Sequence, residues 1–230
     1  MSERTSGYSA SGGKTRDVFV TGATGYIGRA LIARLLERGH RVRALARRSS
    51  TARVPPGAQV VVGDALAGAS YAQAVAEGST LVHLVGTPNP NPSKAAQFRS
   101  VDLASAREAV RVARDRDVGH FVYVSVAQPA PVMKAYVHAR AAAEWTIAEA
   151  GLTATILRPW YVLGPGHWWP IVLLPGYWFG ELVPGTRETA RRLGLVTLRQ
   201  MVASLARAIE DPPASGSCIL DVPAIRAKRR

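Results

Sequence analysis

Three glycines at three-residue spacing, Gly22, Gly25 and Gly28, form the clearest chemical pattern in the sequence. They follow an apolar run at 18–21 and open an amphipathic segment at 27–37. In such a pattern the first glycine makes the turn out of a strand, the second lets the backbone approach a pyrophosphate, and the third allows close helix packing. The helix N-terminus adds a positive dipole. The pattern predicts a dinucleotide-binding loop, and a purely structural strand-to-helix turn is the alternative.

Two arginines, Arg47 and Arg48, follow the second apolar run. In NAD-selective folds an acidic residue about 20 positions beyond the glycines binds the ribose 2′-OH. This sequence has no acidic residue between Glu37 and Asp64, and guanidinium groups pair well with phosphate and stack on rings. We therefore expect NADP(H) to be preferred over NAD(H). Asp64 either contacts the adenine amino group or caps the turn that follows it.

Short apolar runs alternate with helical patterns along the chain. The patterns predict strands at 18–21, 42–46, 59–62, 81–85, 121–125, 153–157 and 219–222, and helices at 27–37, 70–76, 95–114 and 136–150. Thr197 and Gln200 predict a capping box before one more amphipathic helix. Almost continuously apolar strands between helices indicate a parallel sheet covered on both faces. We predict an α/β fold, a doubly wound and mostly parallel Rossmann-like sheet with a small C-terminal substrate-side region.

Composition and charge exclude several classes of protein. The chain has 230 residues, 47% hydrophobic and 20% charged, which suits one globular core. A single cysteine, Cys218, excludes an internal disulfide, and no cluster has the spacing of a metal site. The formal net charge of +13 is partly carried by basic tails. Without a zinc-finger, RNP-like or helix-turn-helix pattern, it predicts an arginine-rich surface rather than specific nucleic-acid binding.

The same patterns predict the organisation of the chain. We expect a disordered tail at 1–16, a single NAD(P)-binding domain at 17–225 and a basic tail at 226–230. The first residues contain no apolar run typical of a secretory signal. No segment has the roughly 20 apolar residues of a membrane span. A cytoplasmic location is therefore expected.

Several short segments together resemble a known family: TGATGYIG at 21–28, GDA at 63–65, LVG at 84–86, FVYVS at 121–125, Tyr136 with Arg140, LRP at 157–159 and GPG at 164–166. With them the chain resembles the short-chain dehydrogenase/reductase superfamily, in its extended or atypical branch of NmrA-like, NAD(P)H-binding and epimerase/dehydratase-like proteins. The resemblance and the patterns above imply nucleotide contacts by Gly22, Ala23, Thr24, Gly25, Tyr26, Ile27, Gly28, Arg47, Arg48, Asp64, Ala65, Val85, Gly86, Tyr136, Arg140 and Pro159.

The resemblance also implies a catalytic tyrosine. In the family its phenol exchanges a proton with the substrate oxygen while hydride moves to or from the nicotinamide, and a lysine four residues later binds the ribose. Here Tyr136 takes the tyrosine position and Arg140 the lysine position, one helical turn apart. The family's serine position just past the fifth strand holds Val126, with Ser125 one position earlier. We predict catalytic roles for Tyr136, Arg140 and Ser125; the alternative for Tyr136 is a packed helix aromatic.

Aromatic residues are concentrated at 160–182, which holds four of the five tryptophans. The resemblance places a variable substrate region at about 160–196, so we predict a lipophilic substrate contacted by Trp160, Tyr161, His167 and Trp168. An oligomer contact and a peripheral membrane contact are alternatives. Two function classes stay open: an NADP(H)-dependent oxidoreductase or epimerase-like enzyme on a lipophilic carbonyl or alcohol, and a non-catalytic NADP(H)-binding regulator or assembly factor whose aromatic segment binds a partner.

Overall fold

A computed structural model describes residues 14–130, 132–165 and 193–227. Its strands are β1 (Asp17–Thr21), β2 (Arg41–Ala46), β3 (Gln59–Val62), β4 (Thr80–His83), β5 (His120–Val124), β6 (Ala154–Leu157), β7 (Tyr161–Leu163), β8 (Leu195–Thr197) and β9 (Ser217–Leu220). Its α-helices are α1 (Tyr26–Glu37), α2 (Ala95–Gln97), α3 (Ala104–Asp115), α4 (Lys134–Glu149), α5 (Leu198–Glu210) and α6 (Val222–Arg226). Between α2 and α3 the chain continues without a break through a π-helical turn, Phe98–Leu103.

Within the described ranges, seven strands form a fully parallel sheet in the order β3-β2-β1-β4-β5-β6-β9. The remaining two strands, β7 and β8, form a separate parallel pair. The chain first winds from β1 outward to β3 and then returns to β4 on the other side of β1. This reversal leaves a crevice outside the carboxyl ends of β1 and β4, which is where open α/β sheets bind ligands.

Apolar side chains cover both faces of the sheet. On one face α1 and α5 bury residues such as Leu31, Ile32 and Leu205 against the strands. On the other face α3 and α4 bury residues such as Ala109 and Ile147. The central strands β1, β4, β5 and β6 are buried at almost every position because helices cover both of their faces, which is the pattern expected of a parallel sheet. The edge strands β3 and β9 are largely exposed.

The predicted α/β, Rossmann-like fold is confirmed, and so is the capping box at Thr197. The Thr197 hydroxyl accepts from the Gln200 backbone N–H at 3.2 Å, and the Gln200 side-chain oxygen accepts from the Thr197 N–H at 2.9 Å. The strand predicted at 219–222 ends earlier, at Leu220. Asp221 accepts a hydrogen bond from the Ala224 N–H at 3.0 Å and thereby starts α6.

The helix predicted at 70–76 is wrong. The segment forms two separate 3₁₀ turns, Gly68–Ser70 and Ala72–Ala74. Between them Tyr71 turns inward, where its fully buried ring stacks on Phe19 at a centroid distance of 5.6 Å. The Ser70 hydroxyl meanwhile bonds to backbone atoms, as serine often does at the expense of a regular helix. The sequence pattern also missed the short β7–β8 pair.

Some predictions fall on residues that are not described. Residues 1–13 of the predicted N-terminal tail, residues 228–230 of the basic tail, and most of the aromatic region lie outside the described ranges. His167 and Trp168 lie outside them as well. Among the helices in the described ranges, none combines the length and apolar character that crossing a membrane requires. The described residues also contain no group of three metal-ligating side chains.

Candidate active site

The loop between β1 and α1 is shaped as a cradle that side chains would fill. Gly22 adopts φ +71°, and a Cβ there would lie 2.7 Å from the Leu84 carbonyl carbon. At Gly28 a Cβ would overlap the Gly22 carbonyl oxygen. The Gly25 N–H closes the turn onto that same oxygen at 3.0 Å. The N-terminus of α1 faces the crevice because α1 begins just after the carboxyl end of β1. Gly25 supplies no side-chain cap, so the first backbone N–H groups of α1 stay available to a ligand. The cradle therefore fits a pyrophosphate.

The other glycine-loop residues line the cradle in different ways. Ala23 is fully buried, whereas Thr24, Tyr26 and Ile27 are half-buried. Tyr26 reaches across to the β7–β8 pair, because a Cβ on Gly164 would overlap the Tyr26 hydroxyl. The first turn of α1 is thus packed against the region where substrate contacts are predicted.

Arg47 and Arg48 stand where the second strand leaves the sheet. Both are exposed, and in the described part of the chain neither guanidinium has a hydrogen-bond or ion-pair partner. The backbone beneath them is fixed, since the Arg47 carbonyl accepts from the Ser50 N–H at 2.8 Å and the Ser50 hydroxyl at 3.1 Å. The structure therefore offers two unengaged cations on an ordered turn at the same edge of the sheet as the glycine loop.

Asp64 caps the turn that follows β3. It is exposed, and one carboxylate oxygen accepts from the Leu66 N–H at 2.9 Å. This is the structural role that the sequence left open, and contact with adenine stays a prediction. Ala65 is half-buried against the core. At the end of β4, Val85 is half-buried and Gly86 exposed, so both border the crevice.

Tyr136 and Arg140 lie together on α4, as the spacing predicts. The half-buried Tyr136 ring packs on Phe98 at a centroid distance of 5.0 Å, and the Arg140 guanidinium lies 5.2 Å from the Tyr136 ring centroid. Arg140 itself is buried and pairs with Asp102 at 2.8 Å. It also donates to the Val124 carbonyl at 2.9 Å. The two predicted residues are therefore in contact, and the Arg140 cation is held by Asp102 and the Val124 carbonyl.

Ser125 is directed elsewhere. Its buried hydroxyl donates to Glu144 at 2.5 Å, and Glu144 also accepts from Gln128 at 2.8 Å and pairs with Arg158. Glu144 lies eight residues beyond Tyr136 on α4, which is about 12 Å along a helix axis. Among the described residues the partner of the Ser125 hydroxyl is Glu144 and not Tyr136, and a catalytic role for Ser125 stays a prediction.

Two other titratable groups near Tyr136 hold their neutral forms at neutral pH. Burial, with a contribution from the Arg140 charge, lowers the pKa of His83 to about 3. The neutral His83 ring links the Thr21 hydroxyl at 2.9 Å to the Ser105 hydroxyl at 3.3 Å. Burial raises the pKa of Tyr123 to about 12, against the opposing effect of Arg140. Of these aromatic groups, the less buried Tyr136 is the one that can reach a ligand.

Sequence reasoning missed Asp102, Thr87 and Glu144. Asp102 is fully buried and accepts from the Thr87 N–H at 2.9 Å and the Thr87 hydroxyl at 2.5 Å. One signal was available: Asp102 follows Phe98 at helical spacing and falls on the apolar face of a helix. A carboxylate at such a position is rarely buried without a partner.

The predicted substrate side begins just after β6. Pro159 is buried, and its carbonyl accepts from the Ala127 N–H at 2.9 Å. The half-buried rings of Trp160 and Tyr161 meet edge to face at 5.5 Å. A separate cleft of about 620 Å³ is lined by Lys134, Val137 and Arg158 among others, and neither Trp160 nor Tyr161 is part of its lining. Its α4 residues, Lys134, Val137, His138 and Ala141, share one face of the helix, whereas Tyr136 lies on a different face.

The parallel sheet, the crevice and the glycine cradle define a dinucleotide-binding protein of Rossmann-like fold. Residues 22–165 match the model of the NAD(P)H-binding family, and the chain belongs to that family. With this match and its structural neighbours, the resemblance to the short-chain dehydrogenase/reductase superfamily is confirmed.

The relatives are reductases and dehydrogenases by name. A 3-beta-hydroxysteroid dehydrogenase of Mycolicibacterium neoaurum is 33% identical over 114 residues, which are 47% of this chain and 31% of that protein. A ceramide reductase of Caulobacter vibrioides is 29% identical over 154 residues, 65% of this chain and 47% of that protein. This chain therefore spans less than half the length of either relative. The Bordetella bronchiseptica enzyme WbmH, solved with NAD⁺, shares the fold with a TM-score of 0.67 at 22% identity, covering 90% of this chain and 76% of WbmH.

The cradle supports a prediction about nucleotide binding. Alanine in a helix is usually more stable than glycine by about 0.5–1 kcal/mol, yet Gly28→Ala places a methyl group on the Gly22 carbonyl oxygen. We expect this variant to bind NADPH at least about tenfold more weakly, because the loop must move away from α1. Calorimetric titration measures the loss. Ala33→Val, on the exposed face of α1, is the control and should bind like the wild type; equal affinity for all three proteins would contradict the cradle.

Proposed function

We propose that this chain is an NADP(H)-dependent oxidoreductase that interconverts a carbonyl and an alcohol in a lipophilic substrate. The observation that carries the proposal is the placement of Tyr136. Its half-buried ring is held between Phe98 and Arg140, and Arg140 lies directly beneath Gly86 at the rim of the crevice. A phenol in that position suits proton exchange with a ligand beside the nucleotide. The names of the relatives, a dehydrogenase and a reductase, support the same reaction class.

The protein's own groups contribute orientation and a proton. NADP(H), when bound, supplies or accepts the hydride. In the reducing direction the Tyr136 hydroxyl donates its proton to the carbonyl oxygen as the carbonyl carbon gains the hydride, and the reverse direction returns the proton. Phe98 restricts the ring, and the guanidinium of Arg140 places a fixed positive charge 5.2 Å from the ring centroid. Although Asp102 also pairs with it, this guanidinium is the nearest cation to the ring among the described residues and favours the negative charge left on the phenol oxygen once the proton has moved.

The substrate class follows from the apolar surface beside the crevice. Trp160 and Tyr161 present half-buried aromatic rings just after β6, and rings of this kind commonly line small-molecule sites. A hydroxysteroid and a ceramide, which appear in the names of the relatives, are lipophilic molecules. We include His167 and Trp168 as further proposed substrate contacts, on sequence grounds alone.

A turnover assay tests the proposed reaction. Purified protein and NADPH are incubated with one carbonyl compound at a time. The compounds are a long-chain methyl ketone, a 3-ketosteroid and, as a hydrophilic control, dihydroxyacetone. We expect consumption of NADPH with at least one lipophilic ketone and none with dihydroxyacetone. Tight nucleotide binding without turnover of any carbonyl or of the matching alcohols would contradict the oxidoreductase.

The preference for NADP(H) is part of the proposal and rests on Arg47 and Arg48. Charge-assisted hydrogen bonds to a 2′-phosphate contribute about 1–3 kcal/mol. We therefore expect Arg47→Ala and Arg48→Ala to weaken NADPH binding about tenfold while NADH binding stays unchanged. Calorimetric titration with both nucleotides measures this. Arg53→Ala is the matched control, because Arg53 is also exposed and ends the 3₁₀ helix Arg48–Arg53 that begins at this arginine pair. Equal losses for NADPH and NADH would contradict phosphate recognition.

A second candidate function is a non-catalytic NADP(H)-binding regulator. The observation that favours it is the engagement of two predicted catalytic groups: Arg140 is paired with Asp102, and the Ser125 hydroxyl is bonded to Glu144. In that case the aromatic residues from Trp160 onward would contact a protein partner, a second copy of the chain or a membrane surface. Nucleotide binding without turnover is the result that this candidate predicts.

A further inference from the structure

The guanidinium of Arg140 is occupied on nearly every side by the protein. One terminal nitrogen donates to Asp102 at 2.8 Å, and the other donates to the Val124 carbonyl at 2.9 Å and to the Tyr123 hydroxyl at 3.3 Å. Its central carbon also lies over two aromatic rings, 5.7 Å from the Tyr123 centroid and 5.2 Å from the Tyr136 centroid. Only 6% of the side chain is exposed. Of the three guanidinium nitrogens, only Nε has no hydrogen-bond partner among the described residues.

The Asp102 carboxylate lies between the Arg140 guanidinium and Thr87 and bonds to both. Its carboxylate is fully buried, with one oxygen on Arg140 and the other accepting both the N–H and the hydroxyl of Thr87. Thr87 directly follows Gly86 in the loop after β4. At Gly86 a Cβ would overlap the Arg140 nitrogen that meets Asp102, so the loop rests directly on the guanidinium. Asp102 therefore connects the crevice rim to α4.

The π-helical turn Phe98–Leu103 supplies both contacts that hold Tyr136. Phe98 packs on the Tyr136 ring, and Asp102 holds the guanidinium on which that ring lies. A π-turn widens the helix by one residue and is often found at functional sites. Ring and cation are thus set by a single short segment.

We propose that Asp102 and Arg140 form an internal brace that positions Tyr136 and the loop after β4, and that Arg140 does not bind the nicotinamide ribose. This inference rests on the proposed function for its catalytic consequence. Three of the five N–H groups of Arg140 already donate to protein atoms, and only 6% of the side chain is exposed, so burial leaves little of the guanidinium accessible to a nucleotide. Asp102 is accordingly a positioning residue, which acts on Tyr136 through Arg140.

The test uses Asp102→Asn, which keeps an oxygen for Thr87 but removes the charge opposite Arg140. Protein labelled with 3-fluorotyrosine reports the surroundings of Tyr136 by ¹⁹F NMR, its resonance being assigned by its loss in Tyr136→Phe. We expect the Tyr136 resonance of Asp102→Asn to shift and kcat for the best lipophilic ketone to fall about tenfold, while NADPH affinity changes by less than about threefold.

Two further variants make the result decisive. Asp102→Asn combined with Arg140→Met removes the ion pair without leaving a buried lone charge, and it should also shift the resonance while NADPH affinity stays within about threefold. Glu210→Gln removes a partly buried partner of Arg38 and His40 near the opposite edge of the sheet, and it should change neither the resonance nor kcat.

The outcomes separate the brace from the proposed reaction. An unmoved Tyr136 resonance in both Asp102 variants overturns the brace, even if wild-type protein reduces ketones. A loss of NADPH affinity beyond about tenfold in the double variant also overturns it, because Arg140 would then bind the nucleotide. A shifted resonance in a protein that reduces no carbonyl supports the brace and contradicts the oxidoreductase.

Discussion

Tyr136→Phe is expected to lower turnover of a lipophilic ketone by at least about a hundredfold, the usual contribution of a positioned proton donor. The variant removes the hydroxyl alone. The phenyl ring can keep its contacts with Phe98 at 5.0 Å and with the Arg140 guanidinium at 5.2 Å. We therefore expect NADPH affinity and the free energy of unfolding to match the wild type. Steady-state kinetics and calorimetric titration of the same preparations measure both quantities.

Tyr71→Phe is the matched control for this experiment. Tyr71 is fully buried against Phe19, and within the described residues its hydroxyl has no hydrogen-bond partner. Loss of that hydroxyl should leave kcat unchanged. If Tyr136→Phe retained full activity, Tyr136 would be a packed helix aromatic and another group would have to move the proton.

Asp102→Ala should lower the free energy of unfolding by about 3–5 kcal/mol, since it leaves Arg140 as an unpaired buried charge. Asp102 is fully buried, and the change also removes the acceptor of two Thr87 hydrogen bonds. Urea denaturation followed by circular dichroism measures the loss. Because total stabilities are typically about 5–15 kcal/mol, this one side chain accounts for a large share.

Asp115→Ala provides the comparison for an exposed ion pair. Asp115 pairs with Arg111 at 3.2 Å, and its side chain is 58% exposed. Exposed pairs of this kind contribute about 0–1 kcal/mol, so the variant should unfold almost like the wild type. A loss below about 1 kcal/mol for Asp102→Ala as well would show that water or a rearranged Arg140 compensates the charge.

Features of the fold encoded by neighbouring residues could be predicted from the sequence. The glycine spacing of the first turn and the capping box at Thr197 depend on residues three positions apart, and both appear as expected. The helix predicted at 70–76 was wrong because a tertiary contact, the stacking of Tyr71 on Phe19, takes priority over the local helical pattern.

The candidate site could be predicted only in part. Tyr136 and Arg140 were found through the resemblance to the family, whose tyrosine and basic residue are one helical turn apart, but their surroundings come from distant segments. Asp102 meets Arg140 across 38 residues, and Ser125 meets Glu144 across 19. Which polar group a buried arginine or serine chooses depends on how α3, α4 and the loop after β4 pack together. No spacing within one segment contains that information.

The π-helical turn also ties the site to the number of residues in one helix. A regular α-helix advances by about 100° per residue, so one residue more or fewer rotates everything on one side of the change relative to the other. Phe98 and Asp102 precede α3 and both depend on the wider turn between them. The direction in which Phe98 faces the Tyr136 ring and the direction in which Asp102 faces Arg140 are therefore set by the same turn. Substitutions on the exposed face of α3 leave both contacts in place, whereas an insertion or deletion in this segment alters both contacts together.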